Sequence, residues 1–166
     1  MLLLRAPRSA DREELLALVR ASRKLHHPWV SPPSTPARFA DYLARSRRDD
    51  FEAMLVCLRE GAIAGAFNLS QISYGPFCSA YLSYWVGAPY AGQGYMGEAM
   101  RLVLRRAFGP LGLHRVEANI QPGNLRSIAL ARRSGFRREG FSPRYLKVLG
   151  RWRDHERWAL TVEDWR

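Results

Sequence analysis

The chain has 166 residues, 47% of them hydrophobic, with 26 Lys and Arg against 15 Asp and Glu for a formal net charge of +11. That length holds a core without disulfide or metal staples, and the apolar content excludes a disordered polyelectrolyte. No run approaches the ~20 apolar residues of a membrane-spanning helix, and Met1-Leu2-Leu3-Leu4-Arg5 is too short for a signal-peptide core, so one cytoplasmic, membrane-free domain over residues 1–166 is expected.

Leu2 to Arg5 reads as a first strand, and Ser9 is placed to cap a helix from Ala10 to about Ala21 with Leu15, Leu18 and Val19 on its apolar face. His26-His27-Pro28-Trp29 and Pro32-Pro33 break the chain before Ser34 or Thr35, with Pro36, restarts a helix to about Arg47 carrying Phe39, Tyr42 and Leu43 inward. Phe51 to Leu58 and Ala62 to Gln71, joined at Glu60-Gly61, predict a hairpin, and Ala80 to Val86 the next strand. Glu98 to Phe108 predicts a helix, His114 to Ile120 a strand with Val116, Ala118 and Ile120 alternating against polar neighbours, and Ser127 to Arg133 a short helix ended by Gly135. Phe136 to Phe141 follows as a strand, then Tyr145 to Leu149 and Trp152 to Thr161 as a closing hairpin. One strand–helix–strand unit in a largely antiparallel background makes the fold class α+β.

The most informative segment is Ala91-Gly92-Gln93-Gly94-Tyr95-Met96-Gly97-Glu98, set between a predicted strand and a predicted helix. A glycine-rich turn there leaves backbone N–H groups unpaired and pointing one way, where the helix dipole adds about half a positive charge. Such a turn seats a phosphate or pyrophosphate, although glycines also simply end strands. Cys57 and Cys78 show neither metal spacing nor a CxxC pair, which predicts free thiols in a reducing compartment. Four scattered histidines predict no metal site. The net charge admits an acidic partner, but only Lys24 and Lys147 are lysines and no basic block is interleaved with aromatics as in nucleic-acid-binding motifs.

Taken in order, Trp85-Val86, Gly92 to Ala99, His114-Arg115-Val116-Glu117-Ala118-Asn119, Asn124-Leu125-Arg126-Ser127, Gly135 to Gly140 and Gly150 to His155 resemble the Gcn5-related N-acetyltransferase (GNAT) superfamily, in its RimJ/RimL ribosomal-protein-alanine branch. Two features, at three positions, depart from the broad superfamily pattern. Ala91 and Met96 stand at the ends of the phosphate motif, and Ala131 replaces a tyrosine acid four residues before Gly135-Phe136; both changes suit the RimJ/RimL branch.

The resemblance implies acetyl-CoA as co-substrate, a primary amine as acceptor, and a splayed V between the strands at 80–86 and 114–120. It implies that backbone groups of Trp85, Val86 and Gly87 pair with the pantetheine, with an N–H near Val86 polarising the thioester carbonyl. N–H groups of Gly92, Gln93, Gly94, Tyr95, Met96 and Gly97 are implied to hold the pyrophosphate. Glu117 is the implied general base, working through one or two waters; read without the family it is an ordinary strand residue or a partner of His114 or Arg115. Ser127 is the implied donor to the departing thiolate, or else a helix cap, and Asn124 either bonds the pantetheine or makes a turn. Arg132 and Arg133 read as phosphate contacts or solvated helix arginines, His155 as structural rather than as a base, and His26, His27 and Trp29, in a loop that borders the acceptor side, as packing residues before substrate contacts. The implied acceptor is the N-terminal amine of a ribosomal protein, with contact to an acidic ribosomal surface. The alternatives are an aminoglycoside or polyamine acceptor, or a coenzyme-binding module without turnover.

Overall fold

The alternating apolar segments all become strands of one sheet in a computed structural model describing residues 1–166. In chain order the elements are β1 (Leu2–Arg5), α1 (Arg12–Ala21), α2 (Arg23–His26), α3 (Pro36–Arg45), β2 (Glu52–Leu58), β3 (Ile63–Ser73), β4 (Ser79–Val86), α4 (Tyr95–Phe108), β5 (Arg115–Ile120), α5 (Leu125–Arg133), β6 (Arg137–Val148) and β7 (Arg151–Thr161). The sheet order is β1-β2-β3-β4-β5-β7-β6, antiparallel throughout except for the β4–β5 pair. This is the expected α+β architecture. No helix is long and apolar enough to cross a membrane.

Strand alternation divides the residues between two faces. Ala80, Leu82, Val116, Ala118 and Ile120 join α4 and α5 in the larger core, while Trp85, Ala53, Leu55 and Ala66 pack under α1 and α3 in the smaller one. Tyr81, Ser83, Arg115, Glu117 and Asn119 therefore share the α1–α3 face, and the even-numbered partners share the α4–α5 face.

Several boundaries differ from the sequence reading, each for a local reason. Ser9 does not cap the first helix. Residues 9–11 form a 3-10 turn, and Asp11 takes both the Arg8 N–H at 2.7 Å and a two-pronged bond from the Arg5 guanidinium. Those bonds hold the Asp11 carboxyl below its ordinary range. Leu16 rather than Leu18 completes the buried set of α1, and Leu18 lies over Gly87, where a Cβ would strike it. Thr35 caps α3 by accepting the Arg38 N–H at 3.2 Å, as one of the two anticipated capping residues. The predicted strands at 136–141 and 145–149 are one bent strand, β6, with irregular pairing between Ser142 and Leu146. Pro143 has no N–H to give, and left-handed Arg144 directs its N–H to the Asp154 carboxylate at 2.8 Å, so the bulge is satisfied without breaking the strand.

Candidate active site

β4 pairs with β5 only from Ser79 opposite Arg115 to Leu82 opposite Ala118. Ser83 to Val86 then continue against β3 alone, and Asn119 and Ile120 against β7 alone. The strands fork into the V that the resemblance implied. Antiparallel pairing decides which backbone groups face it. The Gly87 N–H donates to the Ala64 carbonyl at 2.8 Å, and the alternation of the ladder turns the N–H and C=O of Trp85 and Ser83 toward β3 as well. A Cβ on Gly65 would run into the Trp85 carbonyl, as that direction requires. Tyr84 and Val86 therefore present their backbone groups to the slot. The expected run Trp85-Val86-Gly87 is corrected to Tyr84 and Val86, because only alternate residues of a strand face one side.

The two lips of the fork are tied by the segment at its mouth. His26 is buried, and its Nε2 lies 2.8 Å from the Val86 carbonyl. Burial pushes this imidazole below its usual range, so the ring is neutral and Nε2–H is the donor. The ring also meets Trp85 edge-on at 5.5 Å. On the other lip, Gln121 donates its amide to the Pro28 carbonyl at 2.9 Å, and the Trp29 ring covers Gly123, where a Cβ would come to 3.0 Å of it. Ser22 adds a bond from the Ala88 N–H at 2.8 Å.

Beyond Val86 and a 3-10 turn at Ala88–Tyr90, the glycine-rich turn enters α4 through left-handed Gly92 (φ 75°) and Gly94 (φ 83°). Backbone N–H groups from Gly92 to Met96 have no protein acceptor, whereas those of Gly97 and Glu98 are spent on the Gly94 carbonyl. The anticipated set of six donors is thus five, with Gly97 removed by the first turn of the helix. These five lie at the positive end of a 14-residue helix, where unpaired donors suit an anion. The Gln93 side chain turns away and donates to the Pro89 carbonyl at 2.7 Å. Glu98, the one acidic residue of that first turn, accepts the Leu2 N–H.

Glu117 sits opposite Tyr81, one step on the closed side of the fork, about 10 Å along the strand from the level of Tyr84. Its carboxylate accepts from Arg115 Nε at 2.8 Å, while the remaining prongs of the same guanidinium hold Glu139. That shared arginine holds the Glu139 carboxyl below its ordinary range. The partnership with Arg115 that the residues alone suggested is present, and it leaves Glu117 half-exposed beside Tyr81. Burial, and then the Glu117 charge, raise the Tyr81 phenol.

Asn124, not Ser127, caps α5: its side-chain oxygen accepts the Ser127 N–H at 3.4 Å, leaving the amide NH2 free. The Ser127 hydroxyl instead lies 2.6 Å from the Tyr84 phenol, which reaches it across the fork from β4. His155 is buried, held neutral by that burial, and its Nδ1–H donates to the Arg153 carbonyl at 2.9 Å, in line with a structural role. The Arg132 guanidinium stacks 5.7 Å over Trp158, and Arg133 is exposed.

The family model for the acetyltransferase (GNAT) domain matches residues 1–137, most of the chain. The chain belongs to the GNAT family. A ribosomal protein uS5-alanine N-acetyltransferase of Escherichia coli (strain K12) is 41% identical over 106 residues, covering 64% of this chain and 55% of that protein. The chain thus spans about half the length of that curated relative. A probable N-acetyltransferase of Bacillus subtilis (strain 168) is 33% identical over 128 residues, covering 76% of this chain and 71% of that protein. Among solved structures, Mycobacterium smegmatis RimJ in complex with CoA-disulfide superposes with a TM-score of 0.89 at 29% identity, over 98% of this chain and 82% of that one.

Within this GNAT domain, sequence reasoning missed Tyr84 and Gln121 as parts of the fork, and placed His26 near the acceptor without its bond to Val86. Tyr84 had one available signal, its parity with Val86 on the same strand. The bonds of His26 and Gln121 had none, because their partners lie 60 and 93 residues away.

Proposed function

We propose that this protein transfers the acetyl group of acetyl-CoA to a primary amine, with the N-terminal α-amine of a ribosomal protein or a similar chain as acceptor. The observation that carries the reading is a fork whose free ladder positions run directly into five unpaired N–H groups. Such a groove suits an extended, amide-bearing thioester carrier ending in a diphosphate. In this reading residues 1–166 work as one cytoplasmic domain. Gly92 to Met96 bind the diphosphate, and Tyr84 and Val86 pair with the pantetheine as an added strand would. The Val86 N–H, or that of Tyr84 one register step deeper, polarises the thioester carbonyl as negative charge gathers on its oxygen. His26 keeps the Val86 carbonyl occupied, so that only the N–H of this residue remains for ligand. The free amide of Asn124 serves as a further pantetheine contact. Holding amine and thioester together in the fork supplies much of the rate.

Glu117 accepts the proton that the attacking amine must lose. Its distance from the open part of the slot requires water between them. Arg115 orients the carboxylate.

The polyamine reading is less well supported. Glu117 and Glu139 share the Arg115 guanidinium, and the charges of Arg137 and Arg157 also act on Glu139, so a polycation finds little free negative charge there. Solved spermidine acetyltransferases that share the fold do so at 19% identity, which speaks to the fold alone. The +11 charge suits approach to an acidic ribosomal particle. A panel of N-terminal peptides, beginning with alanine and serine, assayed beside spermidine and an aminoglycoside with thiol release as readout, tests the reading. Turnover confined to the small amines would overturn the choice of acceptor, and absence of turnover with every amine would overturn acetyl transfer itself.

A further inference from the structure

The hydrogen bond across the fork carries a consequence for the leaving group. Tyr84 Oη lies 2.6 Å from Ser127 Oγ, and the Tyr84 ring is braced against Phe67 with centroids 5.1 Å apart. Ser127 and Ala131 are one turn apart on the same face of α5. Ala131, fully buried in the core, stands where the broad family pattern has a tyrosine. A phenolic oxygen absent from that helix face is thus delivered to it from the opposite strand. The residue that delivers it also turns its backbone groups into the slot.

Resting on the acetyl-transfer reading, we propose that Tyr84 is a positioning residue for the departing thiol, acting through Ser127. Each hydroxyl has one hydrogen to donate. Either hydroxyl can give the hydrogen of this bond, and the proposal assigns it to Tyr84: its O–H, which also lies 3.4 Å from the Ser127 carbonyl, fills an acceptor position on Ser127 Oγ and leaves the serine hydrogen for the thiol. A hydroxyl that accepts such a bond donates more strongly, because chained hydrogen bonds polarise one another. Burial raises the Tyr84 phenol to about 12, so it keeps its proton at neutral pH and has a hydrogen to give. In the reaction the amine nitrogen forms its bond to the acetyl carbon and the C–S bond breaks, its electron pair staying on sulfur. The Ser127 hydrogen bond stabilises that thiolate, which takes its proton from water. The surplus proton on nitrogen leaves through water to Glu117 and on to solvent.

The test titrates the thiol of bound CoA, by the ultraviolet absorbance of the thiolate, in the wild type, Tyr84→Phe, Ser127→Ala and the double variant. A charge-assisted hydrogen bond lowers the bound thiol pKa by about one unit in the wild type relative to each variant, with the double variant no different from Ser127→Ala. Turnover of Tyr84→Phe with a reactive amine should fall about tenfold in kcat, with KM for acetyl-CoA changed less than about twofold. An unchanged thiol pKa in Tyr84→Phe with CoA still bound overturns the proposal and leaves acetyl transfer standing. Independent, multiplicative losses in the two single variants also overturn it. A wild type whose bound thiol is shifted as described, but which acetylates no amine, overturns the acetyl-transfer reading and with it the role in thiol departure, leaving only a thiol contact. Failure of the wild type to bind CoA sinks both.

Discussion

Gly94→Ala isolates the anion seat from the rest of the slot. Gly94 has φ 83°, and an added Cβ would find no heavy atom within 4 Å, so the substitution carries no steric clash. Its whole effect is on the backbone, because an L-residue in the left-handed region is disfavoured by roughly 1–2 kcal/mol. Without ligand the alanine loop relaxes toward negative φ, and the N–H groups around residue 94 are re-aimed. CoA has to restore their direction on binding, so its Kd should rise by about 5- to 30-fold, the factor to which that strain converts. Calorimetric titration with CoA measures this, and pantetheine, which lacks the diphosphate, is the internal control. Pantetheine affinity should stay within about twofold, since Tyr84 and Val86 are untouched. Gly94→Asn should recover part of the loss, asparagine tolerating the left-handed region better than alanine does. Equal weakening of CoA and pantetheine, or unchanged CoA affinity, would refute the assignment of these amides to the diphosphate.

Glu117→Gln keeps the shape and removes the base, so acetyl transfer should fall by about 10²-fold or more while CoA affinity measured by calorimetry holds; equal activity would remove Glu117 from the mechanism. Trp29→Ala uncovers Gly123 and loosens the tie at the mouth of the fork, so KM for acetyl-CoA should rise severalfold with a smaller change in kcat, and an unchanged KM would argue against that tie. His26 and His155 are both held neutral by burial, so the unfolded chain takes up protons near pH 6.5 that the folded chain refuses. Stability in urea should therefore decline as pH falls from about 6.5 toward 5, by at most about 1.4 kcal/mol per pH unit for each ring, and His155→Gln should flatten the decline. The depressed carboxyls of Asp11 and Glu139 act in the same direction only at lower pH, so a flat profile between 5 and 6.5 would contradict the burial of these rings.

Much of the frame was legible because it is local. Apolar alternation in Arg115–Ile120, the Thr35-Pro36 helix start and the glycine run before α4 each act through neighbours a few residues away. Where a partner from another element intervened, local reading failed. Asp154 holds the Arg144 N–H and keeps β6 continuous through Pro143, and the Asp11 carboxylate, bound to Arg5 and the Arg8 N–H, fixes a 3-10 turn at 9–11 where Ser9 was expected to cap a helix. Gly97 was counted among the free donors because the first turn of α4 begins three residues earlier than its apolar pattern suggests.

By itself the sequence determined which segments fold as strands and helices, and it marked the glycine-rich turn, Glu117 and Ser127 as the candidates for binding and chemistry. Only the tertiary structure decided that Tyr84 and Val86, rather than their neighbours, face the slot, and that His26, Gln121 and Tyr84 close around it. The reason is physical: ladder parity is set by the strand alongside, and bonds across a fork join residues that chain order keeps 43 to 93 positions apart.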